Sequence, residues 1–229
     1  MTKHPLTPNG ITYALLDTNA LIPPRLSDML FDCAAHGMFL PRWTKKIEEE
    51  FVENWGDVVF NVQLRAKKER KTAKISPLAA HVEGAQKRLA RYRAAVGVTE
   101  WEIFGYDEQD VIDRVPKCVD TGDIHLVAAG LIQLDALSEE PGEHRVFVLS
   151  ANLKHLSVTA LKTLGIEVVK PGKFIDLLCK ARPSLLEQSL RKTVSDLNDY
   201  SQEKLLLSLS VHGAAETVKY FSREWAIRI

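Results

Sequence analysis

Hydrophobic residues along the chain fall into short compact runs separated by longer periodic stretches. "ITYALL", residues 11–16, is aliphatic and β-branched, too short for a helix and apolar on both faces, which predicts a strand in a parallel sheet covered from both sides. "MFLP", "RVFVL" and "IEVV" predict three further strands. Between them the period changes. Leu26, Leu30, Phe31, Ala34 and Ala35 share one helical stripe that Gly37 ends. Thr44 is placed to cap a helix that buries Ile47, Phe51, Val52 and Trp55. Ile124, Val127, Ala128, Leu131 and Ile132 recur at helical spacing, and Ala128, Ala129 and Gly130 are small enough for close approach to a sheet. "HLSVTALKTLG" predicts a helix between the last two strands.

This order of elements predicts an α/β fold, an open parallel sheet covered by helices. Beyond "PGKFIDLLCKARP" the pattern is purely helical: Leu186, Leu190, Val194 and Leu197 form a stripe, and "SQEKLLLSLSVHG" and "AAETVKYFSREW" give two short helices broken at Gly213. The expected organisation is a main domain over residues 1–180 and a C-terminal helical extension over 181–229, packed on it as a small bundle.

Composition narrows the class. With 229 residues and 45% hydrophobic content the chain can bury a sizeable core. No apolar run approaches the roughly 18 to 20 residues of a membrane span, and "MTKHPLTPNG" lacks the apolar segment of a signal peptide, so a cytoplasmic protein without a membrane partner is expected. Cys33, Cys118 and Cys179 are odd in number and widely spaced, which excludes a disulfide framework or a CxxC clip and predicts buried small apolar residues.

Acidic and basic residues balance, but not locally. Arg65, Lys67, Lys68, Arg70, Lys71, Lys74, Lys87, Arg88, Arg91 and Arg93 face only Glu69 and Glu83 in a segment that predicts two basic amphipathic helices, the second opened by Pro77. Such a run is either a solvated face or the electrostatic footprint of a polyanion. The acidic run that follows, from Glu100 to Asp113, reads as a solvated face.

Ligands of open α/β sheets gather at the carboxyl ends of the strands. Asp17 follows the first strand, Asp123 in "TGD" opens a helix, and Ser150 and Asn152 follow "RVFVL". Glu50 sits beside the packed face of its helix, where a carboxylate is costly unless paired. Hard oxygen donors of this kind suit Mg²⁺ or Mn²⁺. Alone, each has an ordinary reading: a strand-end turn for Asp17, a dipole-favoured helix start for Asp123, a cap for Asp120, a surface position for Glu50.

In order, "LLDTNALI", "WTKKIEEEF", "DTGDIHLVAAG" and "VFVLSANL" resemble the motifs of the PIN domain, the nuclease fold of VapC-like toxins of type II toxin-antitoxin pairs, over roughly residues 11 to 178. The resemblance implies a metal-dependent endoribonuclease with Mg²⁺ or Mn²⁺ held among Asp17, Glu50, Asp120 and Asp123. Asp17, Glu50 and Asp123 would be the catalytic acids, Glu49 being Glu50's neighbour in register. Thr18, Asn19, Ser150 and Asn152 would orient these groups, and His125 completes the D-x-x-D-x-H form begun by Asp120. After Asn152 the family pattern has Lys and Asp two and three residues on; here Lys154 is followed by His155. Arg65, Lys67, Lys68, Arg70, Lys71, Arg88 and Arg91 would then contact RNA. A cognate antitoxin and a homodimer are the partners implied.

Two other readings stand beside it. A haloacid dehalogenase-type phosphatase also ends its first strand on Asp, but wants a second Asp at the place of Asn19 and an acid at that of Val127. A PIN-fold module that binds RNA with a weakened catalytic site is the non-enzymatic alternative.

Overall fold

The structure, a computed structural model, describes residues 6, 7, 10–56, 78–97 and 100–229. Four parallel strands, β1 (Thr12–Leu16), β2 (Leu40–Arg42), β3 (Arg145–Leu149) and β4 (Ile166–Val169), form one sheet in the order β2-β1-β3-β4. Ala14, Leu15, Leu16, Val146, Phe147, Val148 and Leu149 are all fully buried, so the compact apolar runs do belong to strands covered on both faces. The second strand lies two residues further on than "MFLP" suggests. Met38 and Phe39 are buried, but the pairing partners of Tyr13, Ala14 and Leu15 are Leu40, Pro41 and Arg42.

After β1 the chain makes a single helical turn, α1 (Thr18–Leu21), and then α2 (Pro24–Ala35), stopped by Gly37 at φ +70°. Residues 45–56 form α3, where Thr44 Oγ1 accepts from Ile47 N at 3.2 Å as expected of a cap. The first of the two basic helices falls outside the described residues; the second is α4 (Leu78–Val96). Then follow a short α5 (Gln109–Ile112), a 3₁₀ turn (Thr121–Asp123) and α6 (Ile124–Ser138). Gly130 lets α6 approach the sheet closely: a Cβ there would stand 2.8 Å from Ile166 Cδ1.

The last segments are all helical: α7 (Val158–Thr163) between β3 and β4, then α8 (Pro171–Ala181), α9 (Pro183–Ser195), α10 (Gln202–Val211) and α11 (Ala215–Glu224). α9 and α10 pack on α2, and α11 packs on α8. Leu197 lies beyond the end of α9, so the predicted stripe is one residue shorter than expected. Buried Asp176 of α8 accepts from both N and Oγ1 of Thr217 at 2.9 Å, which caps the first turn of α11 and fastens the tail to the main domain. Of the cysteines, Cys33 and Cys179 are buried as expected, but Cys118 is exposed and meets Ser157 Oγ at 3.2 Å. Among the described residues no helix is long and apolar enough to cross a membrane.

Candidate active site

The strand order places a topological switch between β1 and β3. From β1 the chain passes to one side to build β2, then crosses to the other side to build β3 and β4. Loops leaving the carboxyl ends of β1 and β3 therefore diverge and leave a crevice, the usual ligand position in an open α/β sheet. Leu16 pairs with Leu149, so Asp17 and Ser150 are the first residues beyond the last paired position of each strand.

A cavity of about 590 Å³ opens there, lined by Asp17, Thr18, Asn19, Glu50, Asp120, Asp123, Asn152 and His155, among others. It thus gathers four acids that come from β1, α3 and the 3₁₀ turn before α6. No Lys or Arg lines it among the described residues. Asp17 is buried, and Asn19 Nδ2 and Ser150 Oγ both donate to its Oδ2, at 3.1 and 2.6 Å. Although Asp17 and Asp123 stand at the N-caps of α1 and α6, neither side chain accepts a cap hydrogen bond. The ordinary explanations of these two acids therefore do not account for their placement. Asp120 does cap, accepting from Thr121 N at 3.0 Å.

Glu48, Glu49 and Glu50 are consecutive in sequence and separate in role. Glu48 is buried; Trp43 Nε1 donates to it at 3.2 Å, Arg93 Nε at 2.7 Å, and a second Arg93 nitrogen closes the pair. Glu49 is exposed and lies 3.8 Å from Lys46. Glu50 alone lines the cavity, with Thr18 Oγ1 donating to its Oε2 at 2.9 Å. Helical rotation of 100° per residue sends three neighbours in three directions, and only Glu50's points at the strand ends.

The electrostatics are those of an underneutralised acid cluster. Burial pushes the Glu50 carboxyl above its ordinary value; the Thr18 hydrogen bond opposes this, and the charge of Asp17 adds to it. Asp123 is likewise pushed up by burial and then by Asp17, against the nearby His125 and His155. Burial holds the His125 imidazole below its usual value, so its 3.8 Å approach to Glu50 Oε1 at neutral pH is a contact of a neutral ring rather than an ion pair. His125 Nε2 is buried without a hydrogen-bond partner.

No family model, curated protein or solved structure matches this chain. The site is therefore read from its own residues.

For a divalent cation the donors fit in kind: three carboxylates in one cavity without a balancing cation, raising one another's proton affinity, beside an orphaned imidazole nitrogen. Among the described residues, no three acidic, His or Cys side chains stand close enough together to enclose an ion as they are placed.

Ser150, fully buried, joins the two loops: it donates to Asp17 and accepts from Asn152 N at 3.0 Å. Of the expected RNA contacts, Arg65, Lys67, Lys68, Arg70 and Lys71 lie outside the described residues. Arg88 is occupied elsewhere. It pairs with Asp28 at 2.5 Å and donates to Pro24 O and Tyr92 Oη, bracing α4 against α2. Arg91 is exposed on α4. Sequence reasoning assigned no role to His155, whose Nδ1 stands 2.5 Å from Asp120 Oδ2, or to Asn54, which also lines the cavity.

Proposed function

We propose that the chain is a metal-dependent endoribonuclease whose cation is held by Asp17, Glu50 and Asp123. One observation carries this reading: three acids from separate elements line a single cavity at the sheet's switch point, and neither Asp17 nor Asp123 is used as a helix cap. The motif resemblance to PIN-domain nucleases supports the same assignment.

Mg²⁺ or Mn²⁺ bound among such carboxylates lowers the pKa of a coordinated water and neutralises a scissile phosphate. This chain's own residues prepare the ligands. Ser150 and Asn19 fix the rotamer of Asp17, and Thr18 fixes that of Glu50. Asn152 and Asn54 place amide donors at the wall. Within the same reading, the toxin role and an antitoxin partner follow from the resemblance, and growth arrest on expression that a co-purifying neighbour relieves is their test.

The nuclease reading is tested with purified protein and total cellular RNA in Mn²⁺, Mg²⁺ or EDTA, beside Asp17→Asn and Asp123→Asn. Metal-dependent bands abolished by both substitutions support it. An inactive unmodified chain that still binds RNA leaves the binding-module alternative, and cleavage that survives both substitutions removes the acidic site from the chemistry.

A further inference from the structure

Asp120 was grouped by motif with the cation-binding acids, yet its surroundings differ from theirs. Its Oδ1 accepts from Thr121 N at 3.0 Å, and its Oδ2 lies 2.5 Å from Nδ1 of His155. Its backbone N–H donates to His155 O at 3.0 Å. Both carboxylate oxygens are thus engaged by the protein, and the turn before α6 is tied to the loop after β3 through main chain and side chain together. Asp123, by contrast, accepts no side-chain hydrogen bond from the described residues.

From this geometry, and resting on the nuclease reading above, we propose that His155 is a substrate-binding residue that donates from Nε2 to a non-bridging phosphate oxygen of the RNA strand, while Asp120 orients His155 and is not a cation ligand. With Nδ1 committed to Asp120, Nε2 is the ring nitrogen left for another partner. The ring is half exposed and lines the same cavity as Asp17, Glu50 and Asp123. It is also the one lining side chain among the described residues able to carry positive charge. A phosphodiester entering a cavity walled by carboxylates needs such a donor, because phosphate contacts set the register of the strand and an acid wall repels it. The carboxylate behind the ring fixes its orientation, as a second carboxylate commonly does for a working imidazole.

The test separates cation binding from RNA binding. Mn²⁺ titrations are run on the unmodified chain and on Asp120→Asn, His155→Ala and Asp123→Asn. Asp123→Asn is expected to weaken Mn²⁺ at least tenfold, with Asp120→Asn and His155→Ala within about threefold of the unmodified chain. Binding of a fluorescent single-stranded RNA in EDTA is expected to weaken about five- to tenfold in His155→Ala, with a matching rise in KM and a smaller change in kcat. His155→Gln, which keeps an N–H donor near the Nε2 position, restores most of the loss. Loss of Mn²⁺ affinity in Asp120→Asn equal to that in Asp123→Asn, or unchanged RNA affinity in His155→Ala, would overturn the assignment. RNA binding that depends on His155 in a chain that never cleaves would support His155 and sink the nuclease reading instead.

Discussion

Ser150 Oγ donates a 2.6 Å hydrogen bond to Asp17 Oδ2, linking residues that each stand one step beyond the last paired position of adjacent parallel strands. The bond spans 133 positions of sequence and is buried. Ser150→Ala leaves Asp17 with Asn19 as its remaining side-chain donor and removes the acceptor of Asn152 N. The expected outcome is a loss of about 1 to 3 kcal/mol in stability and a fall in cleavage of roughly ten- to a hundredfold. Ser150→Thr keeps the hydroxyl and should recover most of both. Urea unfolding and initial cleavage rates measured on the same preparations check the pair.

The three consecutive glutamates of α3 should respond to substitution in three distinct ways. Glu48→Gln removes the charge that Arg93 and Trp43 enclose and is expected to cost about 3 kcal/mol, toward the lower end for breaking a buried pair because Arg93 is partly exposed. Glu49→Gln, exposed beside Lys46, should change neither stability nor cleavage. Glu50→Gln should abolish cleavage while leaving the fold intact. Thermal melts and RNA cleavage of the three variants check this. Full activity in Glu50→Gln with loss in Glu49→Gln would shift the register of the site by one residue.

This division of labour shows where the sequence stops being readable. A compact apolar run is a local signal, so β1, β3 and β4 are found where their residues predict them, and Thr44 caps α3 as its position suggests. "MFLP" misleads by two residues because burial and strand pairing are different demands: Phe39 packs edge-on against Phe174 with centroids 5.0 Å apart, while the backbone of Arg42, a polar residue, does the pairing. The Asp120–His155 contact has no local signal, since its partners are drawn together by the crossing from β3 back over the turn before α6. The bridge of Trp43 to the segment Trp101–Ile103, with hydrogen bonds of 2.9 and 3.2 Å, is likewise invisible to periodicity, and it sits in what reads from sequence as a plain acidic run.

Gly172 opens α8 where the turn between α10 and α11 crosses it. A Cβ at this position would stand 2.2 Å from His212 O and 2.6 Å from Ala214 N, backbone atoms that no rotamer change can move. Gly172→Ala is therefore expected to push the turn away from α8, lowering Tm and loosening the tail. Hydrogen exchange should show the loss of protection first in α10 and α11, with β1 and β3 unaffected. Equal loss across the whole sheet would mean that the tail is part of the main folding unit.

The acid cluster itself makes a prediction about stability. Glu50 and Asp123 bind protons more tightly in the folded chain than in the unfolded one, mainly through burial and in addition through the charge of Asp17. Between the ordinary carboxylate values and these raised ones the native state carries more protons, so its stability falls as pH rises through that window and stays reduced above it. His125 works in the opposite sense: burial lowers its proton affinity, and stability is lost as pH falls below the usual imidazole value. Removing one carboxylate charge isolates the first effect. Asp123→Asn should melt higher than the unmodified chain at pH 8, by about 2 to 4 °C for each kcal/mol of relieved repulsion, and the gap should shrink toward pH 4. Mn²⁺ at a hundred times its Kd should raise Tm of the unmodified chain by about 5 to 10 °C and that of Asp123→Asn by much less. A metal-free Asp123→Asn chain that melts lower at every pH would show that Asp123 serves the fold, and the site would then have to be built from other residues.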